Sequence, residues 1–171
     1  IPANGSTIVK YDISSTNGIP TGQYTLNLTM NYADENGNTY DSTGQVKINI
    51  NQKTKVQFDS LAISDEAEIG DTIEASINAI NLGNEKVKNV RAQLSGDGLC
   101  PQGTIFIGDI EPGQIGNAST NIDIVRMKEN GKGYGISNGT VTYFYENENG
   151  KEKTVTQDFQ IAIKELSISA D

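Results

Sequence analysis

Residues 143–163 read YFYENENGKEKTVTQDFQIAI, and this stretch decides the fold. Asn-Gly accepts the positive φ angles of a tight turn, and both arms place apolar residues at every second position, so the stretch is predicted to form a β-hairpin. Residues 30–50, MNYADENGNTYDSTGQVKINI, repeat the pattern. A constant offset of about 113 residues maps Tyr32 onto Tyr145 and Gly37 onto Gly150, a regular spacing typical of repeat proteins. The sequence therefore contains two copies of the same end of one structural unit.

Charge and cysteine content exclude some classes of protein. The chain has 171 residues, a formal net charge of −9, one cysteine and no histidine. No stripe of Lys and Arg is present to neutralise phosphates, which argues against a nucleic-acid partner. Because Cys100 is the only cysteine, the chain cannot form an internal disulfide. A single cysteine fits either a protein of the reducing cytosol or a surface protein that avoids cysteine. Because the chain has neither an initiator Met nor a signal peptide, Ile1 is expected to be an excision point inside a longer chain, with an anchor or export signal outside it.

Residues 51–164 carry the pattern of an all-β domain. Alternating apolar residues mark about seven short segments, separated by turn signals at intervals of about ten residues. Besides the two arms of the later hairpin, the segments lie near residues 56–63, 73–79, 87–94, 105–107 and 122–124. This spacing predicts a complete seven-stranded immunoglobulin-like β-sandwich. Residues 165–171 are expected to begin a following segment or linker.

Residues 1–50 are predicted to be a partial immunoglobulin-like module that supplies only the last three strands. These strands are residues 6–13 and the two arms of the earlier hairpin. The expected inward set is Val9, Tyr11, Ile13, Leu28, Met30, Tyr32, Val46, Ile48 and Ile50. At roughly 1.5–3 kcal/mol for each large apolar side chain, exposing this set would forfeit on the order of 15–25 kcal/mol. The cover is expected to be the missing first strands in a longer parent, a second copy of the chain, or residues 51–164.

The residue types give no catalytic or metal site. Histidine is absent, which removes the usual general base and metal ligand, so we expect no enzyme activity, no cofactor and no metal. Asp65-Glu66 with Glu68, and Glu146 with Glu148, offer closely spaced oxygens. Neither group has the alternating Asp ladder with a Gly pivot that a dedicated calcium loop needs, so solvated turns are favoured over a weak calcium site.

Four residues are candidates for an interaction surface. Phe144 lies on the opposite parity to Tyr143 and is expected to point outward, where packing against a neighbouring module is favoured over ligand contact. Asp97, Leu99 and Cys100 belong to the loop region 97–103, where a ligand-binding module would respond to its ligand. Cys100 has no imidazole to activate it, so a partly buried loop thiol is favoured over a nucleophile.

Turn motifs in residues 56–164 resemble a known family. The motifs are Gly70-Asp71-Thr72-Ile73, Asn81-Leu82-Gly83-Asn84, Val87-Lys88-Asn89-Val90 and Ile107-Gly108-Asp109-Ile110-Glu111-Pro112-Gly113. Together they look like the bacterial and archaeal cell-surface immunoglobulin-like modules of the CARDB and S-layer-associated kind. The resemblance implies a tandem extracellular module, often a spacer or adhesion segment in secreted or membrane-anchored proteins.

The expected function is therefore a non-catalytic structural or adhesive module of a bacterial extracellular or cell-surface protein. Its expected partners are neighbouring modules of the same parent chain, or a second copy that completes residues 1–50, together with a cell-surface protein or glycan. The alternative is a carbohydrate- or protein-binding accessory module of a secreted enzyme.

Overall fold

The computed structural model describes residues 1, 5–14, 19–129 and 131–167, and every helix or strand element within these ranges is a β-strand. The prediction of an all-β fold is confirmed. No helix in the described ranges is long and apolar enough to cross a membrane. The chain divides into two compact units, Ile1–Ile50 (unit 1) and Asn51–Asp171 (unit 2).

Unit 1 contains a two-stranded antiparallel hairpin of β1 (Gly22–Ala33) and β2 (Thr39–Ile50). Leu26 is paired with Val46, and the pairing runs without interruption to the turn. The turn closes with a backbone hydrogen bond of 3.0 Å from Gly37 N to Asp34 O, and Gly37 has a φ of 82°. Such a positive φ suits glycine because it has no Cβ.

The third strand expected in unit 1 is absent from the described residues. Residues 6–13 have the alternating pattern, but residues 5–14 are not in a strand, and Val9, Tyr11 and Ile13 are all exposed. A strand needs a neighbouring strand to receive its backbone hydrogen bonds. The prediction of three strands was wrong because alternation gives the preference of a segment and does not supply its partner.

Unit 2 contains nine strands among its described residues: β3 (Val56–Phe58), β4 (Glu66–Glu68), β5 (Thr72–Asn81), β6 (Val87–Gly96), β7 (Leu99–Pro101), β8 (Ile105–Ile110), β9 (Ile115–Ile124), β10 (Gly135–Glu146) and β11 (Glu152–Lys164). They form a five-stranded sheet, in the order β4-β11-β10-β6-β8, and a four-stranded sheet, in the order β3-β5-β9-β7. The strand count of seven was too low, because β4 and β7 have three residues each and are too short to show an alternation.

The end of unit 2 is described only in part. Residues 165–167 follow β11 without regular structure. Residues 168–171 lie outside the described residues, so most of the segment predicted for residues 165–171 does too.

The core of unit 2 contains side chains from both sheets. Ile77 and Ile122 come from the four-stranded sheet, and Val141, Tyr143 and Ile161 come from the five-stranded sheet. The Tyr143 ring stacks on Phe58 with a centroid distance of 4.2 Å. Burial raises the pKa of Tyr143. Tyr143 therefore ties the two sheets together.

The β10–β11 hairpin of unit 2 has the same internal geometry as β1–β2. Ser137 is paired with Ile161 at the positions equivalent to Tyr24 and Ile48. Its turn closes with a hydrogen bond of 2.9 Å from Gly150 N to Asn147 O, and Gly150 has a φ of 70°. The two hairpins agree in strand register and in turn geometry.

Candidate functional site

Phe144 lies on β10 with its side chain half-buried, on the face opposite Tyr143. The guanidinium carbon of Arg91 lies 4.7 Å from the centre of the Phe144 ring. Arg91 Nη2 also donates a hydrogen bond of 2.6 Å to Glu152 Oε2. Phe144 is thus already covered in part by a cation–π contact within unit 2, which reduces the ring surface open to a partner.

Asp97 has a structural role in the loop between β6 and β7. Its carboxylate accepts hydrogen bonds from Lys128 N at 2.9 and 3.1 Å and from Glu129 N at 3.0 Å. These backbone hydrogen bonds, led by that of Lys128, lower the pKa of Asp97. The ionised carboxylate therefore fixes the loop that follows β9.

Leu99 and Cys100 lie on β7 and differ sharply in exposure. Leu99 is only 7% exposed and belongs to the core, so its side chain does not contribute to an interaction surface as predicted. Cys100 is a free, exposed cysteine in a strand, where the sequence predicted a partly buried loop thiol. The prediction was wrong because successive residues of a strand point to opposite faces, and Leu99 takes the inward one.

The four candidate residues do not form one site. Phe144 is opposite Arg91 in the β10–β6 pairing, and Asp97 lies six positions beyond Arg91. At about 3.3 Å per residue in a strand, this separation is about 20 Å. Beside Asp97, a shallow depression of about 450 Å³ is lined mainly by polar residues and also by Met127 and Ile136.

The acidic groups considered for calcium are used in other contacts. Glu66 forms an ion pair with Lys164 at 2.6 Å, and Glu148 Oε2 accepts 3.0 Å hydrogen bonds from the Thr54 backbone N–H and hydroxyl. The Thr54 backbone N–H is the main cause of the lowered pKa of Glu148. Within the described ranges, no three His, Cys, Asp or Glu side chains are grouped so as to hold a metal ion.

Several exposed large apolar residues lie together on one face of β1–β2, and we call it the hairpin face. Alternate residues of both strands contribute to it: Tyr24, Leu26, Leu28, Met30, Tyr32, Tyr40, Val46, Ile48 and Ile50. Met30 is 54% exposed and Tyr32 is 57% exposed. The opposite face carries polar pairs such as Asn27 and Gln45, whose side chains form a hydrogen bond of 3.1 Å. The hairpin is therefore amphipathic, and among the described residues of unit 1 no further strand covers its apolar side.

Sequence reasoning missed the pairing of β4 with β11, which joins residues from the beginning and the end of unit 2. The two strands run parallel, with Glu66 opposite Ala162 and Glu68 opposite Lys164. Hydrogen bonds from Ala162 N to Asp65 O, at 2.9 Å, and from Ile69 N to Lys164 O, at 3.0 Å, extend the pairing. A strand of three residues gives no sequence signal that could have predicted this contact.

Comparison with known proteins finds a similar archaeal sequence and similar solved structures. No family model matches the chain. An uncharacterized protein of Methanocaldococcus jannaschii, MJ1506, is 28% identical over 171 residues, which cover 99% of this chain and 37% of that protein. This chain thus spans little more than a third of the length of that relative. The crystal structure of Spo0M, a sporulation control protein from Bacillus subtilis, is similar with a TM-score of 0.40 and 11% identity, over 64% of this chain and 49% of that one.

Proposed function

We propose that the chain is part of a tandem array of immunoglobulin-like β-sandwich modules that serves as a stalk, spacer or adhesive segment of a prokaryotic extracellular or cell-surface protein. The proposed role is structural and non-catalytic. The repeated hairpin supports the tandem arrangement. The sheet order β3-β5-β9-β7 and the neighbours β11-β10-β6 support the immunoglobulin-like topology, because they match the two sheets of that fold, with β4 and β8 as additions.

The parallel pairing of β4 with β11 is the observation that carries the proposal. In a stalk, tension pulls on the two ends of each module. Once β3 is released, the load falls on β4 from the N-terminal side and on β11 from the C-terminal side. Because the strands are parallel, these opposed pulls shear the strand pair, so its hydrogen bonds share the load. The Lys164–Glu66 ion pair lies across the same strand pair.

Pulling on the two ends of the full chain with optical tweezers tests the proposal. Unit 2 is expected to unfold in one step, at a force that falls sharply in Ala162→Pro, because proline removes the amide that bonds to Asp65 O. Val90→Ala is the matched control, since Val90 is fully buried but lies outside β4 and β11. If the two variants lose the same equilibrium stability and their unfolding forces fall by the same amount, the β4–β11 pair has no special role in resisting tension, and the proposal is contradicted.

The alternative of an accessory binding module makes a different prediction. Titration of the full chain with soluble oligosaccharides and peptides, followed by NMR, would then shift residues 97–103. The proposed spacer is expected to show no saturable shift there. A saturable shift that is lost on changing an exposed loop residue such as Gln102 would favour the alternative over the spacer.

A further inference from the structure

The hairpin face has an equivalent in unit 2 that is covered. At the offset of 113 residues that separates Tyr32 from Tyr145, Met30 corresponds to Tyr143 and Leu28 corresponds to Val141. Tyr143 and Val141 are fully buried, whereas Met30 and Leu28 are exposed. In unit 2 the cover includes Ile77 and Ile122 of the four-stranded sheet. The same kind of hairpin is therefore covered by a sheet in unit 2, whereas the described residues of unit 1 contain no such sheet.

Residues 6–13 show the same relation to a strand of unit 2. Under the offset they correspond to residues 119–126, so Val9 corresponds to Ile122 and Tyr11 to Ile124. In unit 2 these positions belong to β9, which pairs with β5 on one side and β7 on the other. Unit 1 has no equivalent of β5 or β7 among its described residues, which explains why residues 6–13 keep the alternation of a strand without forming one.

The outer edges of the two hairpins differ in the same way. In unit 2 the outer edge of β10 is paired with β6, and the outer edge of β11 is paired with β4. Among the described residues, β1 and β2 form a two-stranded sheet. Each of them therefore has one edge without a neighbouring strand in that sheet. Open edges favour the addition of further strands.

The dimensions of the hairpin face argue against a second copy of the chain as its natural cover. Each strand has 12 residues. A strand of that length measures about 40 Å, and two strands are about 10 Å wide, so one face offers about 400 Å². Two such faces would bury on the order of 800 Å² in total, less than the roughly 1,000 Å² expected of a specific interface. A segment with equivalents of β4 and β6 would also pair both open edges, and its equivalents of β5 and β7 would pair residues 6–13.

We propose that the hairpin face and residues 6–13 are a docking surface for a segment of the kind formed by residues 51–118, whose strands β3 to β8 belong to both sheets of unit 2. The preceding part of the same polypeptide would supply this segment in a tandem array. The archaeal relative extends beyond the matched region, which covers 37% of its length. A related protein therefore contains polypeptide outside the matched region that could supply such a segment. This inference rests on the proposed tandem arrangement.

A fusion tests the docking directly. A second copy of residues 51–118 is joined to residue 6 of the chain, so that residue 6 takes the place of Ser119. We expect the backbone amides of residues 6–13 to gain protection from hydrogen exchange in the fusion. In the Met30→Cys variant, with Cys100→Ser in the chain and in the added copy, the introduced thiol should react with a maleimide at least about tenfold more slowly in the fusion than in the chain alone, because labelling then needs local opening.

Three controls make the result decisive. Unit 2 serves as an internal reference for folding, because its amides should be equally protected in the chain and in the fusion. The same fusion with Phe58→Asp and Ile77→Asp in the added copy alone should leave residues 6–13 unprotected. Two results with the chain alone, without the added copy, would overturn the proposal. The first is a dimer in light scattering together with slow labelling of the Met30→Cys variant, which indicates a second copy as the cover. The second is a monomer with protected amides at residues 6–13.

The proposal would also be overturned if a fusion with a folded unit 2 showed no added exchange protection at residues 6–13 and no slower labelling of Met30→Cys. This failure differs from failure of the spacer role, because the pulling experiment addresses β4 and β11 of unit 2 and does not involve the hairpin face.

Discussion

The β1–β2 and β10–β11 hairpins differ mainly in what lies against them. Their strand registers agree, and their turns make the same backbone hydrogen bonds at Asp34 and Asn147. Yet Tyr143 is fully buried, and the equivalent Met30 is half exposed. The comparison shows that turn residues and alternation set the pairing of two strands, whereas burial depends on a sheet from elsewhere in the sequence.

The largest expected difference between the hairpins is in the cost of truncating their equivalent large side chains. Tyr143→Ala should destabilise unit 2 by about 3–5 kcal/mol, because it removes a fully buried ring that stacks on Phe58. Met30→Ala in the same chain should change stability by less than about 0.5 kcal/mol. Urea unfolding followed by circular dichroism measures both. A similar cost at the two positions would mean that Met30 is buried in the isolated chain.

A smaller effect is expected where the two hairpins fill the same space with different side chains. A Cβ added to Gly139 would lie 2.3 Å from the Phe159 ring, whereas the equivalent pair in β1–β2 is Leu26 with Val46. Gly139→Leu should therefore cost about 1–3 kcal/mol through overpacking. Adding Phe159→Val should restore part of that loss, because the pair then matches Leu26 and Val46. Thermal unfolding of the single and double variants gives the interaction energy, and additive losses would contradict the equivalence.

The smallest expected effect concerns pH and the two turns. The Asp34 carboxylate accepts hydrogen bonds from the Asn38 side chain and from the amides of Asn36 and Asn38, and these bonds, led by the Asn38 side chain, lower the pKa of Asp34. Because the folded pKa lies below its unfolded value, the stabilisation is present at neutral pH and is lost as the pH falls below about 4 and through the folded value.

The Asn147 side chain makes the equivalent bonds to Asn149 N and Lys151 N, and it does not titrate. The protection of the Asn36 and Asn38 amides, measured relative to their intrinsic exchange rate at each pH, should therefore fall on acidification, with no matching fall at Asn149 and Lys151. Asp34→Asn should abolish this response, and Asn147→Asp should create one in the second turn. NMR between about pH 2 and pH 6 measures it, and a response that persists in Asp34→Asn would mean that the Asp34 carboxylate is not its cause.

The sequence predicted those features of the fold that depend on a pattern of neighbouring residues. Alternation and the Asn-Gly turns predicted both hairpins, and the constant spacing of the repeat related Tyr32 to Tyr145. The structure confirms the all-β class. It also places Tyr143 in the core, whereas the sequence left open whether Tyr143 or Phe144 faces inward. The hairpins were predictable because a hairpin is set by residues that are close together in the chain.

Features that depend on distant residues were not predictable. The parallel pairing of β4 with β11 brings together residues almost 100 positions apart, through a strand too short to show a pattern. Residues 6–13 had a strand pattern but lacked a partner. The sequence pattern predicted a loop at Leu99 and Cys100, and only the position of β7 beside β9 decides which of the two points inward.

The position of the last hairpin has a consequence for folding during synthesis. β10 and β11 provide Val141, Tyr143, Ile161 and Ile163 to the core of unit 2, and β11 also pairs with β4 near the beginning of the unit. The ribosome must therefore release nearly the whole unit before its core can close. Contacts between residues so far apart in sequence make folding slow, because a long loop has to be ordered first. Until β11 emerges, the nascent unit carries an uncovered sheet, which a chaperone would have to protect from aggregation.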